Sequence, residues 1–247
     1  MKVIRKLREI LGHIASAFCI SKTNRRHVRK LIENYSFKQA KIYKNFKHQI
    51  ISLGNNCMGR TIPTKFGLKP TKIYGEQTIV TDQIFFPYIK DLVKFWNTNF
   101  KGMLDDLCFN KDMNAWTMPR YGMYAPHEYQ LSKEEFSKAV ERRIKNFYKM
   151  VETDKYAIFL RFDAHDCSKE SVKLLADKIR EVRKGKPYKL VIVNHKKPLT
   201  DYIDENTIVI NYPLTLSEKW PLELETEEGK KFCASFIEPI KKIISEI

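Results

Sequence analysis

The stretch Ile50-Ile51-Ser52-Leu53-Gly54-Asn55-Asn56-Cys57 sets the reading of the whole chain. Its apolar start has the length and composition of a buried strand, and it stops at a glycine. Two asparagines and a cysteine follow, and residues 58–66 read as a helix interrupted by Pro63. A thiol is thereby placed where a strand hands over to a helix. Backbone N–H groups and the positive end of the helix dipole there favour the thiolate, the form that acts as a nucleophile. The same position also suits a small buried apolar residue plugging a tight turn.

The rest of the chain supplies a sheet for that strand. Residues 157–160 and 190–193 are two further buried strands. The helix between them opens at Ser168 and Glu170 and carries Val172, Leu174, Leu175 and Ile179 on its apolar face. A strand, a helix and a second strand in that order predict a parallel pair. Residues 207–210 add a fourth short strand. Ile89, Leu92, Val93 and Trp96 have helical spacing, with Phe100, Met103, Leu104 and Leu107 extending the apolar face. Pro119, Gly122 and Pro126 make residues 113–129 a loop. Ser132 with Glu135 is a capping box that opens a long helix through Met150. A closing helix over 232–247 is expected to kink or break at Pro239. The fold class expected is α/β: three layers with a mainly parallel sheet over residues 49–247, preceded by a basic helical arm over 1–48.

Charge separates that arm from the rest. The formal net charge is +16, and residues 1–48 alone hold thirteen lysines and arginines against Glu9 and Glu33, an excess of +11. Val3, Ile4, Leu7, Ile10, Leu11, Ile14 and Phe18 recur at helical spacing between the basic residues, an amphipathic pattern. Such a helix docks on an anionic membrane surface, each Lys or Arg contributing about 1 kcal/mol near anionic lipid, or packs its apolar stripe on the domain. An interrupted apolar stretch with no small-residue cleavage site does not make a signal peptide, and no segment has the apolar length of a membrane span. The five cysteines (Cys19, Cys57, Cys108, Cys167 and Cys233) form neither a disulfide framework nor a zinc-ligand spacing. These features predict a cytoplasmic protein, peripheral at the inner membrane face, with no metal and no cofactor. Basicity alone also permits nucleic-acid binding, but no motif with the spacing of a DNA- or RNA-reading fold is present, so no specific nucleic-acid partner is expected.

Six histidines are the candidate bases. His13, His27 and His48 belong to the basic arm and its solvated face. His165, in Asp163-Ala164-His165-Asp166-Cys167, reads as an exposed loop residue. His195 ends a strand at the carboxyl edge, where parallel sheets place their sites. His127 lies in a Pro-bounded loop, where functional residues concentrate.

Ser52, Leu53, Gly54 and Cys57, then His127-Glu128, Arg142-Arg143-Ile144 and Phe159-Leu160-Arg161, together resemble a bacterial family described as putative papain-like cysteine peptidases. The family's Pro-Phe-Asp-Trp segment is largely replaced here by residues 78–83, which keep Asp82. The resemblance spans roughly residues 48–195. It implies Cys57 as nucleophile and His127 as base, the ring oriented by Asp82 or Glu128. Cysteine before histidine agrees with papain-type order. A parallel unit after the histidine does not, which counts against peptide substrates in particular.

The same residues allow a second class. Gly54, Asn55 and Asn56 are placed to offer donors to a phosphate at a helix start. Arg142, Arg143 and Arg161 are suited to a diphosphate or a sugar carboxylate. Ser21-Lys22-x-x-Arg25-Arg26-x-x-Arg29 resembles the basic lead-in of some bacterial glycosyltransferases that build surface polysaccharides. A glycosyltransferase or glycan-binding protein with a structural Cys57 is therefore the alternative to a hydrolase or acyltransferase acting on a lipid-linked or nascent glycan. No Asp-x-Asp motif is present, which disfavours the common metal-dependent transfer from sugar nucleotides.

Overall fold

The computed structural model describes residues 46–70, 77–163, 165, 167–195, 198–200, 203–213, 224 and 226–247. The readings made on residues 1–45, including His13, His27 and the amphipathic helix, lie outside these. The described chain runs β1 (His48–Ser52), α1 (Met58–Lys65), a 3-10 turn (Val80–Asp82), α2 (Ile89–Asn97), β2 (Cys108–Asn110), β3 (Ala115–Met118), a second 3-10 turn (Pro119–Tyr121) and β4 (Met123–Ala125). It continues with α3 (Lys133–Val151), β5 (Tyr156–Asp163), α4 (Lys169–Arg183), β6 (Tyr188–Asn194), β7 (Thr207–Asn211) and α5 (Glu227–Ser245).

Four strands make one parallel sheet in the order β1-β5-β6-β7. Ile50 sits opposite Ile158, Phe159 opposite Leu190, and Val191 opposite Ile208. Successive side chains alternate across the sheet, so its apolar runs feed two cores. Ile51, Phe159, Leu190 and Ile192 enter one core with apolar residues of α2, α3 and α4. Ile50, Ile158, Leu160, Phe162, Val191 and Val193 enter the other with Met58 and Ile62 of α1 and Phe232, Phe236 and Ile240 of α5. The expected three-layer α/β architecture is the one found.

Local signals place the helix starts. Ser132 accepts from the Glu135 N–H at 3.2 Å while Glu135 accepts from the Ser132 N–H at 2.8 Å, completing the capping box of α3. Ser168 caps α4 through the Ser171 N–H, and Thr226 caps α5, which begins at Glu227, five residues ahead of the expected start. α5 continues through Pro239, so the expected break does not occur.

Two other expectations are corrected. The loop read over 113–129 contains β3 and β4, which with β2 form a small antiparallel sheet. Its strands have only three or four residues, and Pro119 and Gly122 make the turn between two of them, so breakers outnumber the periodic signal. The apolar face of α2 does not run on as helix through Phe100, because Asn99 and Phe100 turn left-handed at φ 53° and 60°. Among the described residues no helix is long and apolar enough to cross a membrane.

Candidate active site

Among the described residues β1 is an edge strand, and its carboxyl end delivers the chain through a tight turn into α1. Gly54 and Asn55 both have positive φ, 79° and 68°. A Cβ on Gly54 would stand 3.2 Å from a ring carbon of Phe86, so conformation and space both favour glycine there. Asn55 is buried and its Nδ2 donates to the Phe162 carbonyl at 2.9 Å, tying the turn to β5. Asn56 Oδ1 accepts from the Met58 N–H at 2.9 Å, filling one of the open donors at the head of α1. Both asparagines therefore have partners inside the protein.

Cys57 comes next, a half-buried free thiol at the N-cap of α1, just before its first residue. Burial pushes its pKa above the ordinary thiol value; a hydrogen bond to its own backbone and the charge of Arg60 oppose that and are smaller. The expected thiolate preference is thus reversed at rest, because desolvation outweighs the helix terminus.

Gly59 lets α1 lie close on the sheet. A Cβ there would fall 2.6 Å from Ser52 Oγ, a buried hydroxyl with no hydrogen-bond partner among the described residues. The 3-10 turn closes the open side of β1: Thr81 Oγ1 donates to the Ser52 carbonyl at 2.5 Å. Asp82, 1% exposed, accepts from the Ile79 N–H at 3.1 Å. Its carboxylate lies 3.9 Å from Arg60 Nε and 3.9 Å from Lys69 Nζ.

Arg161 locks this assembly from below. It has no solvent exposure, and its Nε donates to Asp163 at 2.8 Å. Nη1 donates to the Leu53 carbonyl at 2.9 Å, and Nη2 to the carbonyls of Phe86 and Pro87 at 3.1 Å each. A buried guanidinium engaged in this way holds loops in place and has no surface from which to grip a substrate.

His127 is exposed, and its ring meets Phe85 edge-on at 6.3 Å between centroids. Phe85 is fixed in turn by a hydrogen bond from its N–H to the Tyr124 carbonyl at 2.9 Å. Glu128 pairs with Arg143, which is buried on α3, while Arg142 points to solvent. Neighbouring residues on a helix project about 100° apart, so the two arginines do not act as one clamp. The structure thus gathers Gly54, Asn55, Asn56, Cys57, Asp82 and Arg161 at one turn. His127, Glu128 and Arg143 form a second group, linked to the first through the Phe85–Phe86 segment. Arg142 joins neither.

The remaining histidines divide. His165 is exposed, as expected. His48 is not part of a solvated face: it opens β1, is 5% exposed, and its Nε2 lies 3.1 Å from the Leu68 carbonyl. His195 directly follows β6 and stacks on Phe162 at 5.9 Å. Burial lowers its pKa, opposed by the charge of Asp163 and the backbone of Tyr212. Arg60, Lys69, Thr81 and Gly59 were not identified from the sequence. Only Arg60, one helical turn after Cys57, had a positional signal to offer.

No curated protein and no solved structure matches the chain. The sequence profile of the family described as putative papain-like cysteine peptidase matches residues 48–198, from the first residue of β1 to just beyond β6. That span is more than half of the chain and contains every residue just described around Cys57 and His127. The chain belongs to the putative papain-like cysteine peptidase family.

Proposed function

We propose that Cys57 is the nucleophile of a cysteine-dependent hydrolase or acyltransferase, with His127 as general base. The observation that carries this reading is the half-buried thiol at the head of α1, where β1 leaves the carboxyl end of the sheet, inside the family's matched span. Because burial keeps the thiol protonated, a base must take the proton as the sulfur attacks. The sulfur then forms a bond to the acyl carbon, the imidazolium protonates the leaving group, and an acyl-thioester remains. Water, or an acceptor hydroxyl or amine, releases the acyl group and returns the proton by way of the imidazole. Two anchored carboxylates are candidates for orienting the ring: Glu128, fixed by Arg143, and Asp82, fixed by Arg60 and Lys69.

The substrate we assign is a cell-envelope component, lipid-linked or part of a nascent glycan, met at the inner face of the membrane. The support is the +11 excess of residues 1–48 beside an amphipathic apolar stripe. Flotation with anionic and neutral vesicles tests this part: enrichment with anionic vesicles that fades in high salt supports it, and equal recovery removes it. The glycosyl-transfer alternative is not carried further, since the side chains of Asn55, Asn56 and Arg161 all have protein partners.

The catalytic part is tested by turnover of a panel of activated esters, thioesters and peptide amides, with intact-mass analysis for an acyl adduct. Cys57→Ala should lose at least about 10³-fold in kcat/KM, and His127→Ala about 10²–10⁴-fold. Full activity in Cys57→Ser, or an adduct on Cys108 or Cys233 instead, would end this reading.

A further inference from the structure

We infer that the outer face of α3 is a contact for an anionic lipid surface, made by Lys138, Arg142, Lys145 and Lys149. The choice of lipid as partner rests on the membrane placement already proposed; the stripe of charge does not.

At about 100° and 1.5 Å per residue, the four side chains fall within about 60° of arc along about 16 Å of one helix. All four are exposed. Phe136, Val140, Phe147 and Val151, on the opposite side of α3, enter the core, so packing fixes which way the stripe faces. Among the described residues none of the four makes an ion pair or a side-chain hydrogen bond. Glu141 stands within one helical turn of both Lys138 and Lys145 and pairs with neither.

The other two long helices treat their surface charge differently. On α4, Lys173 and Arg180 both pair with Asp177, and Lys178 pairs with Glu181. On α5, Lys230 pairs with Glu227 and Lys241 with Glu238. Pairing of opposite charges one turn apart is the pattern of a solvated helix face. On α3 the cations at 138 and 142, and at 145 and 149, are instead like charges at i,i+4, which repel. An anionic surface relieves that repulsion.

The shape of the stripe selects the partner. A straight row of cations on an outward helix face meets a plane along its whole length. Glu134 and Glu141 border the row on one side, where a plane resting on the crest of the helix passes over them. A nucleic-acid groove closing around the helix would set its phosphates against them. No aromatic ring stands among the four for bases to stack on, as a single strand requires. No apolar side chain stands there to insert either, so the contact is electrostatic and weakens in salt.

The contact also orients the domain. Four residues separate the end of α3 from β5, so Lys149 lies towards the amino edge of the sheet and Lys138 towards the carboxyl edge, the edge of Cys57. Another flank of the same helix holds Glu128, the neighbour of His127, through Arg143. Seated on α3, the domain rests with its strands along the membrane plane.

The experiment is flotation of the full chain with phosphatidylcholine vesicles, with and without phosphatidylglycerol. Three variants are compared, each replacing four cations by glutamine: Lys138/Arg142/Lys145/Lys149 on α3, Lys230/Lys231/Lys241/Lys242 on α5, and Arg25/Arg26/Arg29/Lys30 in the arm. The α3 variant should lose about 10²–10³-fold in partitioning onto the anionic vesicles. The α5 variant carries the same change in net charge on the other side of the sheet and should lose far less. Acetylation of the bound wild-type chain, read by peptide mass spectrometry, should show Lys138, Lys145 and Lys149 protected severalfold over Lys230 and Lys241. Equal losses in the α3 and α5 variants, or equal protection, would mean that only net charge matters and would overturn the inference. So would binding of the wild type to a DNA duplex but not to anionic vesicles. The arm variant separates the two readings. If it alone loses binding, the α3 contact falls and the arm's role stands; if the α3 variant alone loses binding, the reverse holds. Absence of wild-type binding to anionic vesicles removes both.

Discussion

Each end of the parallel sheet is held by an arginine with no solvent exposure, and the two are satisfied differently. At the amino end, Arg183 donates to four backbone carbonyls: Val151 at 2.6 Å, Thr153 at 2.7 Å, Lys155 at 2.9 Å and Pro187 at 3.0 Å. Among the described residues no carboxylate hydrogen-bonds to it, and burial lowers its pKa, opposed by the charge of Asp154. At the carboxyl end, Arg161 donates to three carbonyls and to the carboxylate of Asp163. Asp163 also accepts from the His165 N–H at 2.8 Å. The amino end is a staple of the scaffold held by carbonyl dipoles, with Arg183 Nε without a hydrogen-bond partner among the described residues. The carboxyl end is an ion-paired hub through which the Cys57 turn, the Phe86–Pro87 segment and the turn after β5 fix one another.

The largest expected effect tests that difference in stability. Arg161→Met takes the donor from three carbonyls and the paired cation from buried Asp163, which should cost about 3–5 kcal/mol. Arg183→Met takes a donor from carbonyls alone, of which Pro187 keeps the Ala157 N–H, and should cost less, about 1–3 kcal/mol. Urea denaturation of both variants measures the gap. An equal or larger loss in Arg183→Met would show that the ion pair is not what distinguishes the two ends.

Milder variants separate stapling from positioning. Arg161→Lys keeps a charge beside Asp163 but cannot reach all three carbonyls, so the Cys57 alkylation rate should change severalfold. Arg183→Lys, at the far end, should leave that rate as it is even where its melting temperature falls. If both lysine variants alter the rate alike, the two ends are not independent.

A third prediction tightens the carboxyl end itself. Gly59→Ala drives a methyl against Ser52 Oγ and should destabilise by about 1–3 kcal/mol, as overpacking does. Ser52→Ala removes the hydroxyl that is in the way, and in that background Gly59→Ala should cost much less. Additive losses in the double variant would mean the clash lies elsewhere.

The smallest effect is a pH dependence shared by both ends. His48 and His195 both have pKa values lowered by burial, His48 chiefly by desolvation with Lys155 adding to it. A histidine whose folded pKa lies below its unfolded value is protonated first in the unfolded chain. Its stabilising contribution is therefore complete above the unfolded value near 6.5 and is lost as pH falls through the folded one. Stability should decline on acidification below about pH 6.5. His195→Gln and His48→Gln should each flatten that decline, and an unchanged slope in both would assign it to carboxylates instead.

The sequence by itself determined the parts of this protein that are written locally. Strands showed as apolar runs, helices as 3.6-residue periodicity, and their starts as Ser132/Glu135 and Ser168, because these signals need only neighbours along the chain. The glycine-turned step from Ile50–Leu53 to Cys57 was legible for the same reason, and the family motif with it. The short antiparallel strands were not, since three or four residues are too few to establish an alternation. What only the tertiary structure decided is which groups each polar side chain meets. Arg161, read as a substrate contact, reaches Leu53 across 108 positions of sequence. Asn55 reaches Phe162 across 107, and Asp82 faces Arg60 and Lys69. The charge state of Cys57 followed the same rule: a helix terminus is visible in sequence and favours the thiolate, but desolvation depends on everything packed around the sulfur, and desolvation is the larger effect.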